Sequence, residues 1–254
     1  MKAQMISVLI NGWKRPENVL RILNKQKDYE LVNEIIVFNN NPDIYFDYIK
    51  NEKVKIINTN VDLGLRTRWA NAVLATNECL IYQDDDVIIE EEGFDTFWRF
   101  FKSDPERIYC ASGRVPDADG GYNYINAKGA VEVVITSAAC LPRSLIPYVL
   151  SCEFDFYSKH EIKTMTNNFH EDIFISYCAM SVFGQRNLQI PIKLKRLPDK
   201  HAIHRRPTHR SERTEMVRRC RKYFTPMRTV INRLEEYLIN LPQRQYNGQS
   251  RETE

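Results

Sequence analysis

The sequence predicts an α/β fold: a single domain on a mainly parallel central sheet, with helices on both faces and a helical C-terminal tail. Three observations predict it. Short, mostly apolar runs recur at residues 6–10, 34–38 and 79–82, and the continuous one at 79–82 suits a strand covered on both faces. Helical patterns lie between them, and strand–helix–strand alternation implies right-handed crossovers joining parallel strands. The chain has 254 residues, 43% hydrophobic and 27% charged, the composition of an ordinary globular protein long enough to bury a sizeable core. Residues 1–224 are expected to form the domain, 225–242 an amphipathic helix and 243–254 a polar tail.

The elements follow in order. Residues 6–10 (Ile-Ser-Val-Leu-Ile) form the first strand, and the polar loop Asn11-Gly12-Trp13-Lys14-Arg15 leads to a helix opened by Pro16 and Glu17, both favoured in a first turn. Val19, Leu20, Ile22 and Leu23 give that helix its apolar face. Residues 34–38 form the second strand, ending in Asn39-Asn40-Asn41-Pro42, and residues 54–57 a third. Leu63-Gly64-Leu65-Arg66-Thr67-Arg68-Trp69 reads as a loop becoming a helix. The chain then enters the strand Cys79-Leu80-Ile81-Tyr82, which runs straight into Asp84-Asp85-Asp86 and at once into Val87-Ile88-Ile89.

In the second half, Phe94, Phe97, Trp98, Phe100 and Phe101 sit at helical spacing and read as core. Residues 108–111 form a strand, residues 112–130 a mobile loop over the site, and residues 131–140 a further strand whose Ser137-Ala138-Ala139 would let a ligand approach the backbone. Residues 145–150 read as a short helix. Asn168 is placed to cap a helix with Glu171 and Asp172 in its first turn and Ile173, Ile175, Tyr177, Cys178 and Met180 inward. Residues 191–196 form the last strand, and 211–224 a basic helix. Met227, Val230, Ile231, Leu234, Leu238 and Leu241 make an apolar stripe docked on the body.

Three adjacent carboxylates raise one another's pKa unless a cation or donors compensate. A solvated acidic turn is the ordinary reading of such a run. Here strands frame it on both sides, which favours a divalent metal, Mg²⁺ or Mn²⁺, of the kind that bridges carboxylate and phosphate. Ligands of open α/β sheets gather at the carboxyl ends of the strands, and that edge collects Asn11, Arg15, Asn39, Arg66, Asp84, Asp85 and Asp86. Amides for a base edge, guanidinium groups for phosphate and carboxylates for ribose and metal make a nucleotide pocket, although Arg66 and Arg68 taken singly read equally well as exposed helix charge. Glu171 and Asp172 suit a helix dipole; beside a metal-type cluster they become candidate catalytic carboxylates. The segment 201–210 offers His204 and His209 as further metal ligands, better suited to Mn²⁺ than Mg²⁺, and Arg218 joins the groups that would close over a diphosphate.

The net charge of +3 is uneven: residues 205–222 hold eight Lys or Arg against two Glu. No apolar run of 18 residues predicts a membrane span, no signal-peptide pattern opens the chain, and the six cysteines show no paired spacing. A reducing, cytoplasmic setting is therefore expected, with peripheral membrane contact through the basic C-terminal segment as a further expectation and no nucleic-acid partner.

At these residues the chain resembles nucleotide-sugar glycosyltransferases of the Rossmann-like A-type fold, and most closely the exostosin C-terminal family, which transfers hexosamines from UDP-sugars in heparan-type synthesis. The likeness runs over residues 6–224. Gly12-Trp13-Lys14-Arg15 is similar to that family's first strand-to-helix turn, Ile35-Ile36-Val37-Phe38-Asn39-Asn40 to its Asn-Asn strand, and Leu65-Arg66-Thr67-Arg68 to its Arg-x-Arg segment. Tyr82-Gln83-Asp84-Asp85-Asp86 matches its carboxylates, which implies Asp86 on the metal and Asp84 on the ribose. Asn168-Phe169-His170-Glu171-Asp172-Ile173 resembles its Asn-Cys-Asp-Asp-Ile segment, which implies Asp172 at the reacting face. His209-Arg210 through Cys220-Arg221-Lys222 is similar to its C-terminal segment, where an Arg meets the diphosphate. Leu63-Gly64 replaces a polar Asn-Lys and Glu171 an Asp, and Glu171-Asp172 also looks like the pair of a large inverting family of the same fold, so retention and inversion both stay open.

The resemblance implies residues 1–90 as the nucleotide-binding half and 91–224 as the acceptor and catalytic half. The expected function is metal-dependent transfer of a sugar, from a UDP-sugar and of N-acetylhexosamine type, to a glycan or other hydroxyl acceptor. Two alternatives stand beside it: a sugar-phosphate nucleotidyltransferase, whose phosphate loop residues 11–15 supply only weakly, and a non-catalytic nucleotide- or polyanion-binding protein using residues 205–222, whose binding would be strongly salt-dependent.

Overall fold

Strand β1, Ile6–Gly12, is buried along its whole length, as a strand at the centre of a two-sided sheet must be. The computed structural model describes residues 5–46, 51–159, 170–199 and 207–239. Helix α1 (Pro16–Gln26), β2 (Val32–Asn39), β3 (Val54–Asn58), α2 (Thr67–Val73) and β4 (Cys79–Asp84) follow, and β1 pairs in parallel with both β2 and β4, while β2 pairs in parallel with β3. The second half adds β5 (Val87–Ile89), α3 (Glu91–Ser103), β6 (Tyr109–Cys110), β7 (Gly113–Arg114), β8 (Gly129–Val131), β9 (Val133–Val134), β10 (Ala138–Pro142), α4 (Ile146–Lys159), α5 (Glu171–Phe183), β11 (Asn187–Gln189), β12 (Leu194–Arg196) and α6 (His209–Ile239). The main sheet has eight strands in the order β3-β2-β1-β4-β10-β6-β11-β8, with β10 and β8 antiparallel to their neighbours.

Side chains alternate between the two faces. Ile6, Val8 and Ile10 of β1 with Cys79 and Ile81 of β4 pack against Val19, Ile22 and Leu23 of α1 and Phe94, Phe97 and Phe101 of α3. Leu9, Leu80 and Tyr82 point the other way, onto Trp69 of α2, Ile146 and Val149 of α4, Phe174 and Cys178 of α5, and Met216, Val217, Cys220 and Phe224 of α6. This period of two fixes which face Asp84 joins: that of α2, α5 and α6.

Several expectations are revised. Residues 131–140 are divided among three short strands: Glu132 separates β8 from β9, and a turn at Thr136-Ser137 separates β9 from β10. The Glu132 carboxylate accepts from Tyr177 at 2.9 Å and Arg221 at 2.9 Å, and the flanking strands take separate partners, β9 pairing β7 and β8 pairing β11. The segment 112–130 is anchored: Tyr122 is buried, and Arg221 donates to the carbonyls of Asp117 and Ala118 at 2.8 and 3.0 Å. The short helix at 145–150 continues to Lys159, its inner face interrupted in sequence by the charged but buried Glu153. In α5 the first-turn cap position is His170, Asn168 lying outside the described residues, and the helix is buried nearly all round, ending at Gly184 with φ +68°. The basic helix and the amphipathic helix are one, α6 running through Pro226 to Ile239; the side chains of the stripe from Met227 onward and the tail 243–254 lie outside what is described. The last expected strand, shortened to β12, pairs with β5 as a small sheet of its own. All six cysteines are free thiols, and among the described residues no helix is long and apolar enough to cross a membrane.

Candidate active site

The parallel pairing aligns the carboxyl ends of β1, β2, β3 and β4: Asn11 stands opposite Asp84 and Phe38, Gly12 opposite Asn39, and Asn39 opposite Asn58. The asparagines there tie loops together. Asn11 donates to Thr67 at 2.9 Å and accepts from Asn71 at 3.2 Å. Asn40 donates to Asp62 at 2.7 Å and accepts from the Leu63 amide at 2.8 Å, and Asn41 donates to the Trp13 carbonyl at 2.9 Å. Asn39, expected among the nucleotide contacts, is wholly buried; its amide donates to Asn58 at 2.8 Å and to the Ile44 carbonyl. Its side chain shapes the loops around the edge and presents no polar atom to a ligand.

The three aspartates divide. Asp84 pairs with Arg68 of α2, whose Nη1 also donates to Thr136 Oγ1 at 2.6 Å and whose Nε stands 3.8 Å from Glu171. Asp85, only 3% exposed, meets Arg15 at 2.5 Å and the Trp13 amide at 3.4 Å. Asp86 meets Arg15 at 2.8 Å through Oδ2, while its Oδ1 is buried with no hydrogen-bond partner among the described residues. Burial pushes the Asp85 carboxyl up to about 7, with Arg15 opposing and Asp84 and Asp86 adding to the rise. Asp86 is raised by burial and by Asp84.

Glu171 and Asp172 open α5 from the opposite side. Asp172 is held bidentately by Arg213, at 3.0 and 2.6 Å, and Arg213 is itself 3% exposed with its guanidinium 4.4 Å from the Tyr122 ring centre. Glu171 accepts from Thr136 at 3.3 Å through Oε1, and its Oε2 is buried with no hydrogen-bond partner among the described residues; burial pushes it up to about 7 against the pull of Arg68. Beside them burial, then Arg213, drives the His170 imidazole down to about 4.

The remaining expected residues lie elsewhere. Arg66 turns to α4, donating to Glu153 at 2.7 Å and covering the Tyr157 ring. Arg218, half-exposed, pairs with Asp119 at 3.1 Å. The Nδ1 of His209 is 2.6 Å from the Tyr124 hydroxyl, and the two rings stack. His204 lies outside the described residues. Arg213 is the residue sequence reasoning passed over, and one signal marks it. It is three, four, seven and eleven residues before Met216, Val217, Cys220 and Phe224, the buried face of α6, so it is the basic residue that continues an apolar stripe.

Five carboxyls thus converge on three guanidinium groups, Arg15, Arg68 and Arg213. Buried charges require partners, and five carboxyls outnumber the three guanidinium groups they meet, an excess that a divalent cation would relieve. The orphaned Asp86 Oδ1 and the raised Asp85 and Asp86 fit the hard oxygen donors that Mg²⁺ or Mn²⁺ prefers. Among the described residues, no three His, Cys, Asp or Glu converge as a ready-made ligand set, so water and ligand oxygens would complete the shell.

A family model described as the glycosyl transferase family 64 domain matches residues 6–238. The fold is similar to that of the solved structure of GalNAc-T7 with UDP, GalNAc and Mn²⁺, with a TM-score of 0.51 and 13% identity; the match covers 77% of this chain and 45% of that one. The chain therefore spans less than half of that protein's length, and the likeness is one of fold. No curated protein matches the chain.

Proposed function

Because the chain belongs to the glycosyl transferase family 64 domain family, we propose that it transfers a sugar from a nucleotide-sugar donor to a hydroxyl of a glycan or similar acceptor, with a divalent cation assisting. The observation that carries this reading is the convergence of five carboxyls on three guanidinium groups at the carboxyl edge of the sheet. A UDP-sugar of N-acetylhexosamine type is the proposed donor, supported by the resemblance to the exostosin C-terminal family and by the UDP, GalNAc and Mn²⁺ bound in the fold neighbour.

Asp86, with Asp85 beside it, would hold Mn²⁺ or Mg²⁺, whose charge would offset that of the departing diphosphate. Asp84 would accept from the ribose hydroxyls, with Arg68 fixing its orientation and linking it to Glu171. Asp172 would face the reacting carbon, and Arg213 holds both of its oxygens, so the pair is preorganised to stabilise developing charge. Glu171 is the carboxyl suited to exchange a proton near neutral pH, being pushed up to about 7 with Oε2 unpaired among the described residues.

The polyanion-binding alternative is disfavoured by a specific observation. Arg210, Arg213, Arg218 and Arg221 each donate to the body, to Tyr122, Asp172, Asp119 and Glu132. The test is a donor screen with UDP-, GDP- and CMP-sugars, with and without Mn²⁺, reading released nucleotide. Manganese-dependent UDP release, lost in Asp86→Ala, is expected. Release of pyrophosphate from UTP and a sugar 1-phosphate, with no UDP released from the sugar donors, would support a nucleotidyltransferase, and calorimetry showing no UDP binding with Mn²⁺ present would end the UDP-sugar reading.

A further inference from the structure

Arg15 stands where the cation is needed. It occupies the N-cap position of α1, makes no side-chain cap, and forks between Asp85 Oδ1 at 2.5 Å and Asp86 Oδ2 at 2.8 Å. Its side chain is 19% exposed, so it is neither locked inside nor free in solvent. A divalent ion binds carboxylate oxygen at about 2 Å. A guanidinium on the same two carboxylates repels that ion and takes oxygen atoms it would use. One guanidinium also carries half the charge, and it leaves Asp86 Oδ1 unpaired. The arrangement is a partial neutralisation suited to an edge without its metal.

The same side chain is the one in the β1–α1 loop best placed to meet phosphate oxygens, for which an Arg fork is geometrically matched. We propose that Arg15 is a displaceable counter-ion: it holds Asp85 and Asp86 while the metal is absent, is expelled as the cation binds, and then passes to the diphosphate of the nucleotide. Metal and nucleotide binding are thereby coupled, since each removes what impedes the other, and such coupling is reciprocal. Arg15 acts here as a positioning residue. The inference rests on the proposed function.

Mn²⁺ is titrated calorimetrically into the full chain with and without UDP, for the wild type, Arg15→Gln and Arg15→Lys, with circular dichroism checking the fold. Without UDP, Arg15→Gln is expected to bind Mn²⁺ about tenfold more tightly than the wild type, as a like charge has been removed. UDP should then strengthen Mn²⁺ binding at least several-fold more in the wild type than in Arg15→Gln. Arg15→Lys, which keeps the charge but not the fork, should fall between them and gives the same comparison if the glutamine variant misfolds. Melting supplies a second readout: the metal-free Arg15→Gln should melt below the wild type, and saturating Mn²⁺ should close the gap. Equal or weaker Mn²⁺ binding by both variants in the absence of UDP overturns the proposal while leaving the functional reading intact. A wild type that takes up no Mn²⁺ even with UDP removes the functional reading and this inference with it.

Discussion

Replacing Arg213 by methionine would leave Asp172 inside the protein without the two nitrogens that now hold it. Breaking a buried ion pair from one side destabilises by about 3–5 kcal/mol. Arg213→Met should lose that much in urea unfolding, and Asp172→Leu combined with it should recover most of the stability while nucleotide release stays absent. A second outcome is read in pH. The folded-state pKa of His170 lies near 4, below the 6.5 of a free imidazole, so between those values the unfolded chain binds the extra proton. The His170 contribution is therefore complete above about pH 6.5 and is lost toward pH 4, amounting to about 3 kcal/mol. Glu171 and Asp85, raised to about 7, act in the opposite sense, their contribution being lost as pH rises through 7. The informative quantity is a difference: between pH 7.5 and 5 the wild type should lose more stability than His170→Gln, and parallel curves would refute the assignment. Residue identity alone told Asp84, Asp85 and Asp86 apart from a surface run because strands frame them. It did not separate Arg213 from Arg218, which differ in the helix face they occupy, nor an inward amide such as Asn39 from an outward one.

Among the elements, the short strands of the second half depend on close approach of backbone to side chain. A Cβ added at Gly113 in β7 would fall 2.7 Å from both Val131 methyls, and overpacking of this kind typically destabilises by about 1–3 kcal/mol. Gly113→Ala should lower the urea midpoint accordingly, and Val131→Ala in the same chain should restore part of it; two additive losses would count against the contact. The parallel strands β1, β2 and β4 were legible because each is built on a short, mostly apolar run. β8, β9 and β10 were not, since Glu132 and the turn at Thr136-Ser137 divide one stretch among three pairings. The extent of α4 was hidden for a related reason: Glu153 looks like the end of its apolar face until Arg66 is seen to neutralise it.

At the scale of the whole molecule, α6 covers the sheet face that also carries Asp84. Met216, Val217, Cys220 and Phe224 belong to the core beneath it. A chain ending at residue 206 should therefore show no cooperative unfolding transition and should bind an apolar dye, whereas the wild type should unfold in one step; a cooperative truncated chain would mean that the face is covered some other way. The α/β class, and the gathering of Asn11 and Asp84 at the sheet's carboxyl edge, were legible from alternation alone. The joining of the two halves through Asp84, Arg68, Thr136 and Glu171 was not, because it links residues far apart in the chain through side chains that each look ordinary. That span has a consequence during synthesis. The groups of the site run from Asn11 to Arg213, and Arg213 emerges from the ribosome last. Until it does, the nascent chain carries Asp172 without its Arg213 partner and leaves uncovered the apolar sheet face that α6 closes.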